Sequence, residues 1–320
     1  MKVLIGANQM GLEGVIPELQ RTYPDIDFVH CPVREEIAHD ITDADIYLGW
    51  LNRDIFLAAQ KLKWIQSPSS GINYYLVIPE LVESDVFLTS ASGTHGACLA
   101  ESTFGMIFAF TRGIRAAIQL QPQHRWGLWE IRPTMVELTG STLGIVGFGA
   151  FGRALAKRAH AFDMRVVAVD LFPNNKPDYV DELWGLSGLN DLLQQSDYVV
   201  VAVPHTPQTD GMIGAAQIAL MKPSAMLVAM SRGGIVEQTA LTEALRAKRI
   251  AAAALDVTYP EPLSADSELW DLENLLITPH VAGGTQFEGK YVLDIFRENL
   301  ERYLAGTLPL RNQVNKQLGF

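Results

Sequence analysis

Leu143-Gly144-Ile145-Val146-Gly147-Phe148-Gly149-Ala150-Phe151-Gly152 is the stretch on which the fold turns. An apolar strand runs into Gly147-x-Gly149-x-x-Gly152, and Arg153–Phe162 continues with helical spacing. The next strand, Arg165–Asp170, ends on an acidic residue. Strand, glycine turn, helix, strand and terminal carboxylate together make a dinucleotide-binding fingerprint. Each glycine has a physical task. Gly147 permits the tight turn, Gly149 lets backbone N–H groups approach a pyrophosphate, and Gly152 lets helix and strand pack closely. The helix N-terminus adds a partial positive charge of about half a unit. Asp170 is expected to accept hydrogen bonds from the adenosine ribose hydroxyls. Leu171 and Phe172 follow it, with no arginine for a 2′-phosphate, so NAD is expected rather than NADP.

Downstream, strands are expected at Tyr198–Val203, Ala225–Ala229, Ala252–Asp256 and Leu275–Thr278. Three of them run into segments with reactive side chains: Ser231-Arg232-Gly233-Gly234, Asp256–Pro262 and Thr278–Gly284. Ligands of open α/β sheets sit outside the carboxyl ends of strands, so these segments belong near a bound dinucleotide. Arg232 suits a planar carboxylate, His280 suits proton transfer near neutral pH, and Glu261 suits the orientation of an imidazole. This trio fits reduction of a carbonyl beside a carboxylate.

Upstream, Val3–Ile5, Ile46–Gly49, Trp64–Gln66 and Val86–Thr89 read as strands, with helices at Gly14–Thr22 and Asp54–Leu62. Alternating strands and helices predict a second parallel sheet. Gly6-x-x-x-x-Gly11 lacks a middle glycine and a Gly-Lys-Ser ending, and reads as a tight turn. A long apolar helix is expected from Ala97 to about Arg115. Gln119–Thr139, with Trp126, Trp129 and Pro133, has no clear period and reads as an arm or long loop. A last helix is expected over Phe287–Leu304.

The chain has 320 residues, enough for about two domains. It is 48% apolar and 19% charged, and its net charge of −11 argues against nucleic acid or an anionic membrane as partner. No apolar run reaches the roughly 18 residues that span a bilayer. Cys31 and Cys98 stand far apart, outside any CxxC, which predicts a reducing, cytoplasmic compartment. No set of His, Cys and carboxylates has metal-ligand spacing, so no metal is expected.

These motifs, in this order, resemble the D-isomer-specific 2-hydroxyacid dehydrogenase family from about Ser92 to Gly284. The resemblance is carried by Val146–Gly152, by Leu227–Asp256 through Arg232 and the helix Glu237–Lys248, by Asp256–Pro262 and by Thr278–Gly284. It implies two Rossmann-like or flavodoxin-like parallel-sheet α/β domains with an interdomain active-site cleft. The implied boundaries are residues 1–98 plus 288–320 for the substrate domain and 99–287 for the NAD-binding Rossmann domain. It also implies an NAD-dependent oxidoreductase interconverting a 2-oxo acid and a D-2-hydroxy acid.

By the same resemblance, Arg232 binds the substrate carboxylate and carbonyl, His280 is the general acid/base, and Glu261 pairs with it. Asp256 contacts the nicotinamide carboxamide. Val203, Met230 and Ser231 line the cofactor, and Ala150 and Phe151 lie at its pyrophosphate. Ser69-Ser70-Gly71-Ile72-Asn73 resembles the loop whose N–H groups hold the substrate carboxylate, which assigns Ser70 and Gly71 to substrate. Trp50, Leu51, Tyr74 and Tyr75 are candidates for the pocket or for packing. The arm resembles that of members that form homodimers through the cofactor domain. Ala229, Glu237 and Glu101-Ser102 stand where relatives usually have Asn, Asp and Glu-His, and none of them removes a catalytic group. A non-catalytic NAD(H)-sensing protein, of the kind the C-terminal-binding-protein corepressors represent, keeps the same trio and stays open as the alternative. Glu261, where formate dehydrogenases have Gln, argues against that activity.

Overall fold

The computed structural model describes residues 1–319. The chain divides into two compact units. One joins Met1–His95 to the chain from Thr285 onward, and the other is the continuous segment Gly96–Gly284.

The first unit holds five parallel strands: β1 (Lys2–Ile5), β2 (Asp27–His30), β3 (Ile46–Leu48), β4 (Trp64–Gln66) and β5 (Phe87–Thr89). Their order is β2-β1-β3-β4-β5, the flavodoxin-like arrangement. Leu4, Tyr47, Ile65 and Leu88 pack into one core layer, and Val3, Ile5, Ile46, Leu48 and Trp64 into the opposite one. That alternation is the period-2 geometry of strands buried on both faces. The helix Glu288–Leu304 covers the second layer with Val292, Phe296 and Leu300, and Trp64 stacks on Phe296 with centroids 5.4 Å apart.

The second unit holds seven parallel strands: β6 (Thr142–Val146), β7 (Arg165–Val169), β8 (Glu182–Trp184), β9 (Tyr198–Val201), β10 (Met226–Ala229), β11 (Ala252–Leu255) and β12 (Leu275–Ile277). Their order is β12-β11-β10-β9-β6-β7-β8, the Rossmann arrangement with one further strand. The order reverses between β6 and β9, and the glycine turn leaves β6 at that point. Here too, successive strand residues enter opposite core layers, as Val199 and Val201 do against Tyr198 and Val200.

Sequence reading missed two edge strands. β2 and β8 carry exposed or half-buried residues at most positions, so neither shows a continuous apolar run. The expected helix from Ala97 to Arg115 is two helices, Gly96–Thr111 and Ile114–Leu120, parted at Gly113, whose φ of 66° lies in the left-handed region. The arm is not featureless, because short helical turns occupy Gln121–Gln123, Leu128–Ile131 and Arg132–Thr134. Among the described residues no helix is long and apolar enough to cross a membrane. Cys31 and Cys98 form no disulfide with each other.

Candidate active site

The glycine turn has the geometry its spacing implies. Gly147 has φ 103°, and a side chain there would meet the Ala202 carbonyl carbon at 2.8 Å. The turn out of β6 is therefore pressed against the end of β9. A Cβ at Gly152 would lie 2.3 Å from the Gly147 oxygen, so only glycine lets the helix Ala150–Ala161 start this close to the strand. At Gly149 a Cβ would meet nothing within 4 Å, and Gly149 and Ala150 are exposed. That open face lies before a helix N-terminus with no side-chain cap, a cradle suited to a phosphate.

Asp170 follows β7. Its Oδ2 accepts from the Phe148 N–H at 2.6 Å and its Oδ1 from the Phe172 N–H at 2.8 Å. The carboxylate thus ties the glycine turn to the strand end, and each oxygen keeps acceptor capacity for a diol. Leu171 and Phe172 are exposed beside it. Arg153 lies over the Phe148 ring and donates to the carbonyls of Asn174 and Asn175. Val203 and Met230 are buried, Met230 in the same core layer as Phe148, so a cofactor there meets backbone more than side chain. Ser231 is half-buried at the end of β10.

His280 and Glu261 meet. Nδ1 of His280 lies 2.8 Å from Glu261 Oε2, and the other carboxylate oxygen accepts from the Thr258 N–H at 3.0 Å. Glu261 is therefore held from behind while it orients the ring, which leaves Nε2 as the outward nitrogen. His280 is itself in the left-handed region, with φ 53°, rare for a non-glycine residue. Asp256 sustains that conformation. Its carbonyl accepts from the His280 N–H at 2.8 Å, and its carboxylate accepts from Thr278 Oγ1 at 2.5 Å and from the Val281 and Ala282 N–H groups at 3.0 Å. With three donors on a buried carboxylate, Asp256 fixes the turn that presents His280.

Arg232 is half-buried after β10, and its Nη1 donates to the Ser231 carbonyl at 2.6 Å. The next residue joins the two loops. A Cβ on Gly233 would stand 1.9 Å from the Thr258 carbonyl oxygen. The Tyr259 N–H also donates to Gln238 Oε1 at 3.1 Å. Sequence reading did not single out Gly233, Thr258 or Gln238. The doubled glycine after Arg232 is the signal that points to a close backbone approach.

In the first unit, Ser70 and Gly71 lie on the loop after β4. The Gly71 N–H donates to Ser69 Oγ at 3.2 Å, and Ser70 Oγ donates to the Ala91 carbonyl at 2.9 Å. The neighbouring tyrosines divide their tasks. Tyr75 is buried and donates to the Gly49 carbonyl at 2.8 Å, with its hydroxyl pushed to high pKa by burial, so it is a packing residue. Tyr74 is exposed, and its hydroxyl lies 3.3 Å from Ser69 Oγ. Leu51 is buried and Trp50 half-buried. Arg53 is paired with Glu80.

Comparison with known proteins places this arrangement in a family. The model of the NAD binding domain of D-isomer specific 2-hydroxyacid dehydrogenases matches residues 104–282. A D-3-phosphoglycerate dehydrogenase of Methanocaldococcus jannaschii is 34% identical over 88% of this chain, which spans 54% of that protein's length. A glyoxylate reductase of Thermofilum pendens is 33% identical over 90% of the chain and 86% of its own length. Among solved structures, a D-isomer specific 2-hydroxyacid dehydrogenase from Xanthobacter autotrophicus Py2, in complex with NADPH and MES, superposes with a TM-score of 0.85. It is 26% identical and covers 99% of both chains. The chain belongs to the D-isomer specific 2-hydroxyacid dehydrogenase family, and is an oxidoreductase with that family's NAD binding domain.

Proposed function

We propose that this chain is an NAD-dependent reductase of small 2-oxo acids, interconverting them with D-2-hydroxy acids. The observation that carries the reading is the Glu261–His280 pair, 2.8 Å apart beyond the carboxyl ends of β11 and β12. It belongs to the same sheet as an uncapped helix N-terminus behind an open Gly149.

A bound nicotinamide supplies the hydride that reaches the C2 carbon of the substrate. The chain's own residues do the rest. Gly147, Gly149, Ala150, Phe151 and Gly152 hold the pyrophosphate, and Asp170 holds the adenosine ribose. Val203, Met230, Ser231 and Asp256 line the remainder of that site. Arg232 binds the substrate carboxylate and polarises the carbonyl, a task for a permanently charged planar donor. His280 gives its Nε2 proton to the forming alkoxide, and Glu261, on Nδ1, keeps the ring aimed. Ser70 and Gly71 provide further donors to the substrate carboxylate, which takes over from Ser69 Oγ as acceptor of the Gly71 N–H.

NAD is favoured over NADP by the Asp170 carboxylate, which repels a 2′-phosphate, and by the apolar Leu171 and Phe172 beside it. Exposed apolar side chains on the arm support a homodimer formed through the second unit. Trp126 and Trp129 are 92% and 76% exposed, and Val136 is exposed as well. The absence of a disulfide between Cys31 and Cys98 supports a reducing compartment, the cytoplasm.

The test is oxidation of NADH and of NADPH against glyoxylate, hydroxypyruvate, pyruvate, phenylpyruvate and branched oxo acids. Turnover is expected with NADH, and more slowly with NADPH. Tight NADH binding without turnover of any acid would instead support the sensor.

A further inference from the structure

The turn Ser92–His95 brings a second histidine against the loop that the proposed function assigns to the substrate carboxylate. Three groups converge there with Ala91 at the centre. Its carbonyl oxygen accepts from Ser70 Oγ at 2.9 Å and from Thr94 Oγ1 at 2.7 Å. A carbonyl has no proton to give, so each hydroxyl directs its single hydrogen at Ala91. Nδ1 of His95 lies 2.7 Å from Ser70 Oγ and 2.9 Å from Thr94 Oγ1. With both hydroxyl protons engaged, Nδ1 is the donor and carries the hydrogen, shared between the two oxygens. On the other side of the ring, Glu288, the first residue of the last helix, places Oε1 3.6 Å from Nε2. The His95 side chain is only 13% exposed, so the ring is held rather than solvated.

We infer that His95 is a positioning residue for substrate. It clamps Ser70 to Thr94, and so sets the Ser69–Gly71 loop in the shape that receives the carboxylate. His95 meets the loop at Ser70, and the loop is also tied down by Ser67, whose Oγ accepts from the Ser69 N–H at 3.0 Å and donates to the Ser69 carbonyl at 3.1 Å, and by the Ala91 N–H, which donates to the same carbonyl at 3.0 Å. Removing the clamp therefore frees Ser70 and Gly71 without unfolding the strand end behind them. The inference rests on the proposed reading of Ser70 and Gly71.

The experiment is steady-state kinetics with glyoxylate and pyruvate at saturating NADH, on wild type, His95→Leu, His95→Asn, Ser70→Ala and the double variant His95→Leu/Ser70→Ala. His95→Leu is expected to raise KM about tenfold, the equivalent of one lost hydrogen bond near its upper range. The kcat and the NADH dissociation constant should stay within about twofold. Asn carries an N–H where Nδ1 stands, so His95→Asn is expected to restore most of the KM. Ser70→Ala, which also loses the bond to the Ala91 carbonyl, should raise KM at least as much, and the double variant should add little to it, since the His95 contact is already gone. A KM unchanged in His95→Leu, or an effect that Asn does not rescue, overturns the clamp. So does a parallel fall of kcat and NADH affinity. Wild type that turns over neither acid overturns the parent reading, and is told apart by the absence of any activity to perturb.

Discussion

His280 is the side chain to which the proposed function gives the proton transfer. It sits in a backbone conformation that few non-glycine residues adopt, at a cost on the order of 1–3 kcal/mol, and Asp256 holds it there with one carbonyl and one carboxylate. Glu261 then fixes the ring by Nδ1. His280→Ala is expected to lower kcat by at least about 10²-fold, as general acid/base losses do. The dissociation constant for NADH, read by fluorescence, should stay close to wild type. Near-normal turnover in that variant would remove His280 from the mechanism. The segments that hold these residues stood out in the sequence because expected strands run into them. Their supports were not. Nothing in the spacing of Asp256 and Ala282 says that the first accepts from the second, because the contact exists only once β11 and β12 are paired.

Among the elements, the buried parallel strands were the most legible, since runs such as Tyr198–Val201 and Met226–Ala229 are apolar throughout. The short edge strands were the least, because an edge residue faces water and breaks the run. Loops between strands carry the other hidden layer of design. Gly233 lets the Arg232 loop touch the Glu261 loop, with Thr258 as the point of contact. Gly233→Ala would force those two backbones apart by more than an ångström, since the added carbon would stand 1.9 Å from an oxygen. Misplacement of about an ångström can cost about 10²-fold in rate. The expected outcome is a drop in kcat/KM of that order, with the glycine turn at Gly147–Gly152 and its NADH affinity untouched. A variant with wild-type kcat/KM would mean that the Arg232 and Glu261 loops need not be coupled.

For the whole molecule, the arm raises the question of self-association. Trp126 and Trp129 expose most of their large apolar side chains on the arm. Sedimentation equilibrium is expected to give a dimer for wild type, and Trp126→Ala/Trp129→Ala is expected to shift it toward monomer. A wild-type monomer at micromolar concentration would assign the arm some other partner.

The two units also differ in how the chain runs through them. Gly96–Gly284 is one uninterrupted stretch, whereas the first unit is closed only by the last helix and by the contacts that follow it. Asn299 reaches Gln66, the Val314 N–H donates to the Leu88 carbonyl, and Lys316 donates to the carbonyls of Leu81, Ser84 and Val86. During synthesis, the five strands of the first sheet leave the ribosome before any of these partners exists. At about 5–20 residues per second, the gap before the closing helix emerges is roughly 10–40 s. That interval is the synthesis of the second unit, which is completed at Gly284, just before the closing helix begins. The nascent amino-terminal half is then the stage at which this protein most needs a chaperone.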